Sequence, residues 1–370
     1  MGSTDLQPQT RLFKDEINRP TIKRIGKVLH ELDESFQDGR FVAAIMQRKM
    51  DTLELKDRIA AVADTLEKFL PDSYKASIDL MIAAAPKLGM FENWCFLTVI
   101  ERHGLSRYKD SLRGMYELTR HASAESAIRP FIKKYTKRIM PTLKKWTRDK
   151  DEHIRRLVAE GTRPRGVWVQ RLDMFVDDPG PVIELLDKLR DDSSLYVRKA
   201  VANSLNDISK DNPEQAIATA LRWRQDNNHL TNWIIRHGLR SLIKQGDPRA
   251  FKLLEFTDTP QLTVSDISLS NKRLRIGRKL RIRFEVESLA ERMQKLAIDY
   301  KVHYVKKSGR TSEKVFKLAE KNLPPRGKLA LSTERSFANR SVRTHYPGEH
   351  RIEIMINGKV VADATFQLMK

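Results

Sequence analysis

The chain has 370 residues, more than one hydrophobic core usually covers, so two or three domains are expected. Apolar residues make up 40%, too many for a largely disordered protein, and the lone Cys95 excludes an internal disulfide and suits a reducing compartment. With 69 Lys and Arg against 48 Asp and Glu the net charge is +21, a balance that points to a polyanionic partner, nucleic acid before anything else.

The start, "MGSTDLQPQTRLFKDEINRP", lacks the apolar core of a signal peptide, and residues 1–10 read as a disordered tail. No later run approaches the roughly 18 apolar residues of a membrane span, so a cytoplasmic protein without membrane contact is expected. Residues 11–258 read as helical. "DTLELKDRIAAVADTLEKFL" places Leu53, Leu55, Ile59, Val62, Leu66 and Leu70 at helical spacing with charges opposite, and "SAESAIRPFIKKYTKRIMPTLKKW" and "GPVIELLDKLR" continue in that style. Three segments then resemble one another: "HIRRLVAEG", "YVRKAVANSLNDISK" and "NWIIRHGLRSLIKQG", with Ile154, Val197 and Ile234 in register. Offsets of 43 and 37 residues match a HEAT-like α-solenoid, whose stacked helix pairs leave a long groove.

After "FTDTPQ" the period changes to two. "KLRIRFEVES" alternates Leu280, Ile282, Phe284 and Val286 with charged residues, and "KLAIDYKVHYVKK" repeats the pattern. Asn357-Gly358 joins two alternating runs as a hairpin turn. Roughly seven short strands over residues 262–370 predict an antiparallel, immunoglobulin-like β-sandwich, making the whole chain mainly α with a β domain at its end. Residues 261–370 hold 24 Lys and Arg and 11 Asp and Glu, net +13. Arg273, Arg275, Arg281 and Arg283 are expected on or beside one strand pair, with "KKSGR" (306–310) as a basic hairpin tip. This concentration predicts a domain that grips DNA phosphates.

Familiar catalytic signatures are missing. One cysteine and scattered histidines give no metal-ligand cluster, and neither a GxxxxGK[ST] loop nor a GxGxxG turn is present, so no metal or nucleotide cofactor is expected. Carboxylates remain. Glu160 lies one turn after Arg156, an ordinary ion pair by spacing alone. Gly161 ends that helix, and "TRPRGVW" brings Arg163, Arg165 and Trp168 back towards it, a loop able to hold phosphates and present an indole face. Asp207 shares a polar helix face with Lys199 and Asn203. Glu125 is spaced to pair with Arg129 at a helix start.

"SAESAIRPF", "RRLVAEGTRPR..W", "YVRKAVANSLNDISKDNP" and "TNWIIRHGLRSLIKQGDP", in this order, resemble the AlkC-type DNA alkylation repair glycosylases of the HEAT-like superfamily that also contains AlkD. The resemblance covers residues 11–258, and some members carry an immunoglobulin-like domain at the carboxyl end. It implies a monofunctional glycosylase that hydrolyses the N-glycosidic bond of cationic bases, chiefly 3-methyladenine and 3-methylcytosine, and leaves an abasic site without full base flipping. It assigns Glu160, Asp207 and Glu125 to the carboxylates around the lesion and Trp168 to the aromatic packed there. Arg156, Arg163 and Arg165 would hold the DNA backbone, and Lys199, Arg240, Arg281 and Arg283 are further expected phosphate contacts. The expected partner is double-stranded DNA bearing alkylated bases, bound by a monomer at the bacterial nucleoid. A non-catalytic HEAT module that binds DNA or scaffolds proteins is the alternative reading.

Overall fold

Helices occupy the chain up to Leu253 and strands begin at Leu262 in the computed structural model, which describes residues 12–340 and 343–370. The expected tail (residues 1–10) lies outside the described residues. Among these residues the helices are α1 (Arg19–Leu32), α2 (Asp38–Met46), α3 (Leu55–Leu66), α4 (Tyr74–Ala84), α5 (Met90–His103), α6 (Tyr108–Leu118), α7 (Arg129–Trp146) and α8 (Glu152–Gly161). They continue as α9 (Asp173–Asp177), α10 (Gly180–Leu186), α11 (Leu195–Asp211), α12 (Pro213–Arg224), α13 (His229–Gly238), α14 (Arg240–Gln245) and α15 (Pro248–Leu253).

Several starts are written in cap residues. Asn18 accepts the Thr21 amide at 3.0 Å with Pro20 in the first turn of α1, and Asp151 accepts the His153 amide at 2.9 Å at the head of α8. The apolar stripe of α3 is buried at Ile59, Val62 and Leu66, but Leu53 lies in extended backbone before the helix and Leu70 beyond it. The apolar spacing runs through both ends because the flanking turns bury Leu70 and cover Leu53 in part. The start of α7 is also later than its sequence suggests: residues 124–128 are turns, so Glu125 precedes the helix instead of opening it. The three look-alike segments become α8, α11 and the α13–α14 pair. Ile154, Val197 and Ile234 are all fully buried, and α8 packs on α11.

The described residues divide into two compact units. One takes the chain through Asp211 together with Asn227–Ile234, and the other takes Asn212–Asp226 with Ile235–Lys370, so α12, α14 and α15 share a unit with the strands. In that second unit nine strands form two sheets. They are β1 (Leu262–Val264), β2 (Ser268–Leu269), β3 (Arg273–Arg275), β4 (Lys279–Ser288), β5 (Gln294–Val305), β6 (Thr311–Leu323), β7 (Lys328–Ser336), β8 (Gly348–Ile356) and β9 (Lys359–Met369). β4 pairs with β1, β2 and β7, while the other sheet runs β3-β9-β8-β5-β6. All pairs are antiparallel except β3 with β9. β1 to β3 are too short to show alternation, which is why seven strands were expected and nine occur.

Leu280, Ile282, Phe284 and Val286 of β4 face Leu296, Ile298, Tyr300 and Val302 of β5 in one buried core with Phe337 and Ile354. One expectation fails here: Arg273 and Arg275 lie in one sheet and Arg281 and Arg283 in the other. Gly277, at φ +95°, turns the chain between β3 and β4, and the chain crosses from one sheet to the other there. The Asn357-Gly358 turn has the paired positive φ values of a type I′ hairpin, +46° and +79°. Its Asn357 side chain accepts the Ala297 amide and donates to the Thr257 carbonyl, both at 2.7 Å. A Cβ on Gly358 would come 2.6 Å from the Gly246 Cα, so only glycine lets the turn dock there.

Candidate active site

The carboxylates singled out in the sequence meet through basic side chains. Glu160, in the last turn of α8, accepts from Arg163 Nη1 at 2.8 Å, and Arg163 Nε donates to Asp207 of α11 at 2.7 Å. Lys210 Nζ closes that end on Asp207 at 2.8 Å. At the other end Arg156 Nη2 stands 3.7 Å from both Glu160 and Glu125. The result is a chain of alternating charge, Glu125–Arg156–Glu160–Arg163–Asp207–Lys210. Glu160 is 7% and Asp207 1% exposed, so these are not the surface pairs that spacing alone suggested.

The two ends of this chain differ. Asp207 and one oxygen of Glu160 are held by close charge-assisted hydrogen bonds. Glu125 and the other Glu160 oxygen share a single guanidinium at a distance too long for a hydrogen bond. Burial, and then the charge of Glu160, push the Glu125 carboxyl above the ordinary carboxylate range. Burial opposes the charge on Arg163, but Glu160 and Asp207 outweigh it and raise its pKa. Arg156 is itself fixed: Nη1 donates to Ser123 Oγ at 3.1 Å, and the guanidinium carbon lies 4.5 Å from the centre of the Tyr196 ring. The chain as a whole balances three acids against three bases, but at this end two carboxylates share one guanidinium without a hydrogen bond to it.

Arg129 organises the loop that carries the rest. The expected pairing with Glu125 does not form; the Arg129 side chain, fully buried, instead donates to four backbone carbonyls. These belong to Glu160 (3.4 Å), Gly161 (3.0 Å), Arg163 (2.5 Å) and Gln170. Burial, followed by the nearby Arg163 charge, brings its pKa down to about 10. A signal was available in the sequence. An arginine at the first residue of a helix opposes the helix dipole, and beside Ala127 and Ile128 it needs acceptors from elsewhere. Trp168 sits in this loop at φ +61°, 60% exposed, and its carbonyl accepts from Lys56 of α3. A bulky residue in the left-handed region is held there by its surroundings. Lys56 is 112 positions away, and nothing in the sequence links the two.

The remaining expected contacts are dispersed. Arg163, expected at a phosphate, instead bridges two acids, and Arg165 pairs with Asp211. On α11 the face of Lys199, Asn203 and Asp207 grades from exposed through half-buried to buried. In the second unit Arg240 donates to the His237 carbonyl at 2.6 Å, and Arg281 grips Glu334 across β4 and β7 at 2.8 Å and 3.0 Å. Arg283 is exposed and has no acidic partner among the described residues. No group of three or more His, Cys, Asp or Glu that could hold a metal occurs among the described residues, nor any helix long and apolar enough to cross a membrane.

Comparison with known proteins bears on the same residues. A family profile described as "DNA alkylation repair enzyme" matches residues 119–242, which span Glu125, Glu160, Trp168 and Asp207. A second, described as the C-terminal Ig-like domain of YhaZ, matches residues 263–370. The Bacillus subtilis (strain 168) protein YhaZ, described as uncharacterized, is 33% identical over 347 residues, covering 93% of this chain and 96% of its own length. Among solved structures, Pseudomonas fluorescens alkylpurine DNA glycosylase AlkC, bound to DNA containing an abasic site analog, matches with a TM-score of 0.93 at 33% identity. That match covers 97% of this chain and 100% of the other.

Proposed function

The chain belongs to the AlkC-type family of DNA alkylation repair enzymes, and from that membership we propose that it is a monofunctional DNA glycosylase for cationic alkylated bases. Its substrates are 3-methyladenine and 3-methylcytosine in double-stranded DNA, and its product is an abasic site. The observation that carries this reading is the loosely held end of the charge chain. Glu160 and Glu125 share Arg156 at 3.7 Å, so one Glu160 oxygen has no close hydrogen-bond donor and can face a cation.

The chemistry follows from that charge. A methylated adenine or cytosine already bears a positive charge and leaves as a neutral base, so no general acid is needed. Bond breaking moves the charge onto the deoxyribose. A carboxylate fixed in advance then stabilises the developing oxocarbenium ion and orients the attacking water. Arg163, clamped between Glu160 and Asp207, keeps Glu160 from turning away, and so acts as a positioning residue. The Trp168 indole, presented from a loop anchored by Arg129 and Lys56, adds about 0.5–2 kcal/mol of attraction for a cationic base or sugar. A neutral base lacks both the leaving ability and the attraction, which gives selectivity. Excision proceeds without full rotation of the base out of the helix; strong unstacking of 2-aminopurine placed at the lesion position would count against this.

In this reading Lys199 on the helical side and Arg283 in the second unit, both exposed, neutralise phosphates, Arg165, Arg240 and Arg281 do so by exchanging their present partners for the DNA backbone, and a monomer suffices. The test is chromatography of bases released from methylated DNA. Wild type releases 3-methyladenine and 3-methylcytosine; Glu160→Gln lowers release by roughly a hundredfold or more while DNA affinity changes little. Release unaffected by this substitution refutes the role of Glu160. DNA binding by wild type without any abasic product would favour a scaffold instead.

A further inference from the structure

The second unit contains a cavity of about 330 Å³ lined by Lys314 of β6, Arg335 and Ser336 of β7, and Ala338, Arg340, Arg343 and His345 of the β7–β8 connection. Four of these seven residues are Lys or Arg and none is acidic. Like charges gathered without a counter-charge repel one another, so the arrangement is stable only because other forces fix it. Arg335 lies 3.9 Å above the Phe316 ring centre and donates to Tyr304 Oη at 3.1 Å. Arg343 stacks over Tyr304 at 4.6 Å, and Lys314 Nζ stands 5.4 Å from the Phe316 ring centre. The aromatic faces hold the cations in place without neutralising them.

Two groups in the cavity lack partners. Arg343 Nη1 is a buried donor with no hydrogen-bond acceptor. His345 is 5% exposed and wedged between Tyr304 and Phe337, and among the described residues neither of its ring nitrogens is hydrogen-bonded. Burial, then the Arg343 charge, bring the pKa of His345 down to about 4, so at neutral pH its ring is uncharged and can both donate and accept. A buried donor left unmade costs free energy that a ligand can recover.

We propose that this cavity is a phosphate site, in which the Arg335, Arg340 and Arg343 guanidinium groups and Lys314 neutralise the anion while His345 and Ser336 hydrogen-bond its oxygens. Planar guanidinium donors match phosphate oxygens, and a carboxylate ligand would leave acceptor sites fewer than the donors present. The phosphate belongs either to DNA or to a free phosphate compound. Arg335 is paired with Leu280, next to Arg281, but its side chain lies against Phe316 and Tyr304 whereas Arg281 binds Glu334, and capture of an anion here needs no chemistry at Glu160.

The experiment uses the full chain and two probes. Inorganic phosphate is titrated calorimetrically into wild type, Lys314→Gln, Arg340→Gln and Arg343→Gln, and an undamaged duplex is titrated across a salt series. If the phosphate is free, wild type takes up one equivalent, each substitution weakens uptake roughly tenfold, and the salt slope of duplex binding is unchanged. If it belongs to DNA, each removed charge lowers that slope by about one. Wild type that takes up no phosphate, with slopes unchanged in all three variants, overturns the proposal; so does uptake that survives every substitution. Lys314 and Arg340 are exposed, so those variants keep the test valid if Arg343→Gln fails to fold. Base release has no part in these readouts, so the glycosylase assignment and this one stand or fall separately.

Discussion

Replacing Arg129 by methionine keeps the apolar stem and removes every donor that holds the 161–170 loop. Four carbonyls lose a charged donor, and those of Glu160 and Gly161 are buried where water does not easily replace it. A stranded buried acceptor costs about 1–3 kcal/mol, while removing a buried cation returns part of its desolvation. The net loss expected is about 2–4 kcal/mol, a large share of the roughly 5–15 kcal/mol that folds a domain. Arg129→Lys keeps the charge, but a single ammonium cannot span four carbonyls, and it should lose about half as much. Urea unfolding gives the stability, and amide exchange over residues 161–170 reports the loop. Base release should fall about a hundredfold even where the protein remains folded, because a loop adrift by about 1 Å misplaces Trp168 and Glu160. Stability within about 0.5 kcal/mol of wild type, together with unaltered exchange in the loop, would refute the role given to Arg129.

Trp168→Ala should change stability by less than about 1 kcal/mol, since the indole is mostly exposed, yet lower base release at least tenfold; equal release by both proteins would remove Trp168 from the site. The Glu125 carboxyl is raised by burial and by Glu160, so its charged form is lost at higher pH than that of a free glutamate. Base release should decline on acidification earlier than an ordinary carboxylate requires, and Glu125→Gln should remove that limb of the pH profile. Asp299 on β5 is buried, and desolvation moves its pKa from 3.8 to about 6. Below pH 3.8 it is protonated in both folded and unfolded chains and has no effect; as pH rises to about 6 the unfolded chain ionises first and stability falls. Asp299→Asn should therefore raise the melting temperature at pH 7–8, by an equivalent of up to roughly 3 kcal/mol, with the gain vanishing near pH 3.5. A gain that is the same at both pH values would rule out ionisation as its cause.

Local rules made much of this molecule readable. Alternation at Leu280, Ile282, Phe284 and Val286 set a two-faced strand, Asn357-Gly358 set the hairpin, and the register of Ile154, Val197 and Ile234 set three equivalent buried positions. Of the charge chain, the Arg156–Glu160 pair was legible from i, i+4 spacing, while Glu125 and Asp207 were placed at the site by family resemblance and Lys210 was missed. Which acid each base would meet was decided only by tertiary structure. Arg163 reaches Asp207 across 44 positions, Lys56 reaches Trp168 across 112, and Arg129 turns from its sequence neighbour Glu125 to four carbonyls of the α8 end and the following loop. The reason is burial. In water a charged side chain gains little by choosing one partner over another, so spacing is a fair guide; removed from water, it must satisfy every donor or acceptor, and the fold supplies partners that no local pattern contains.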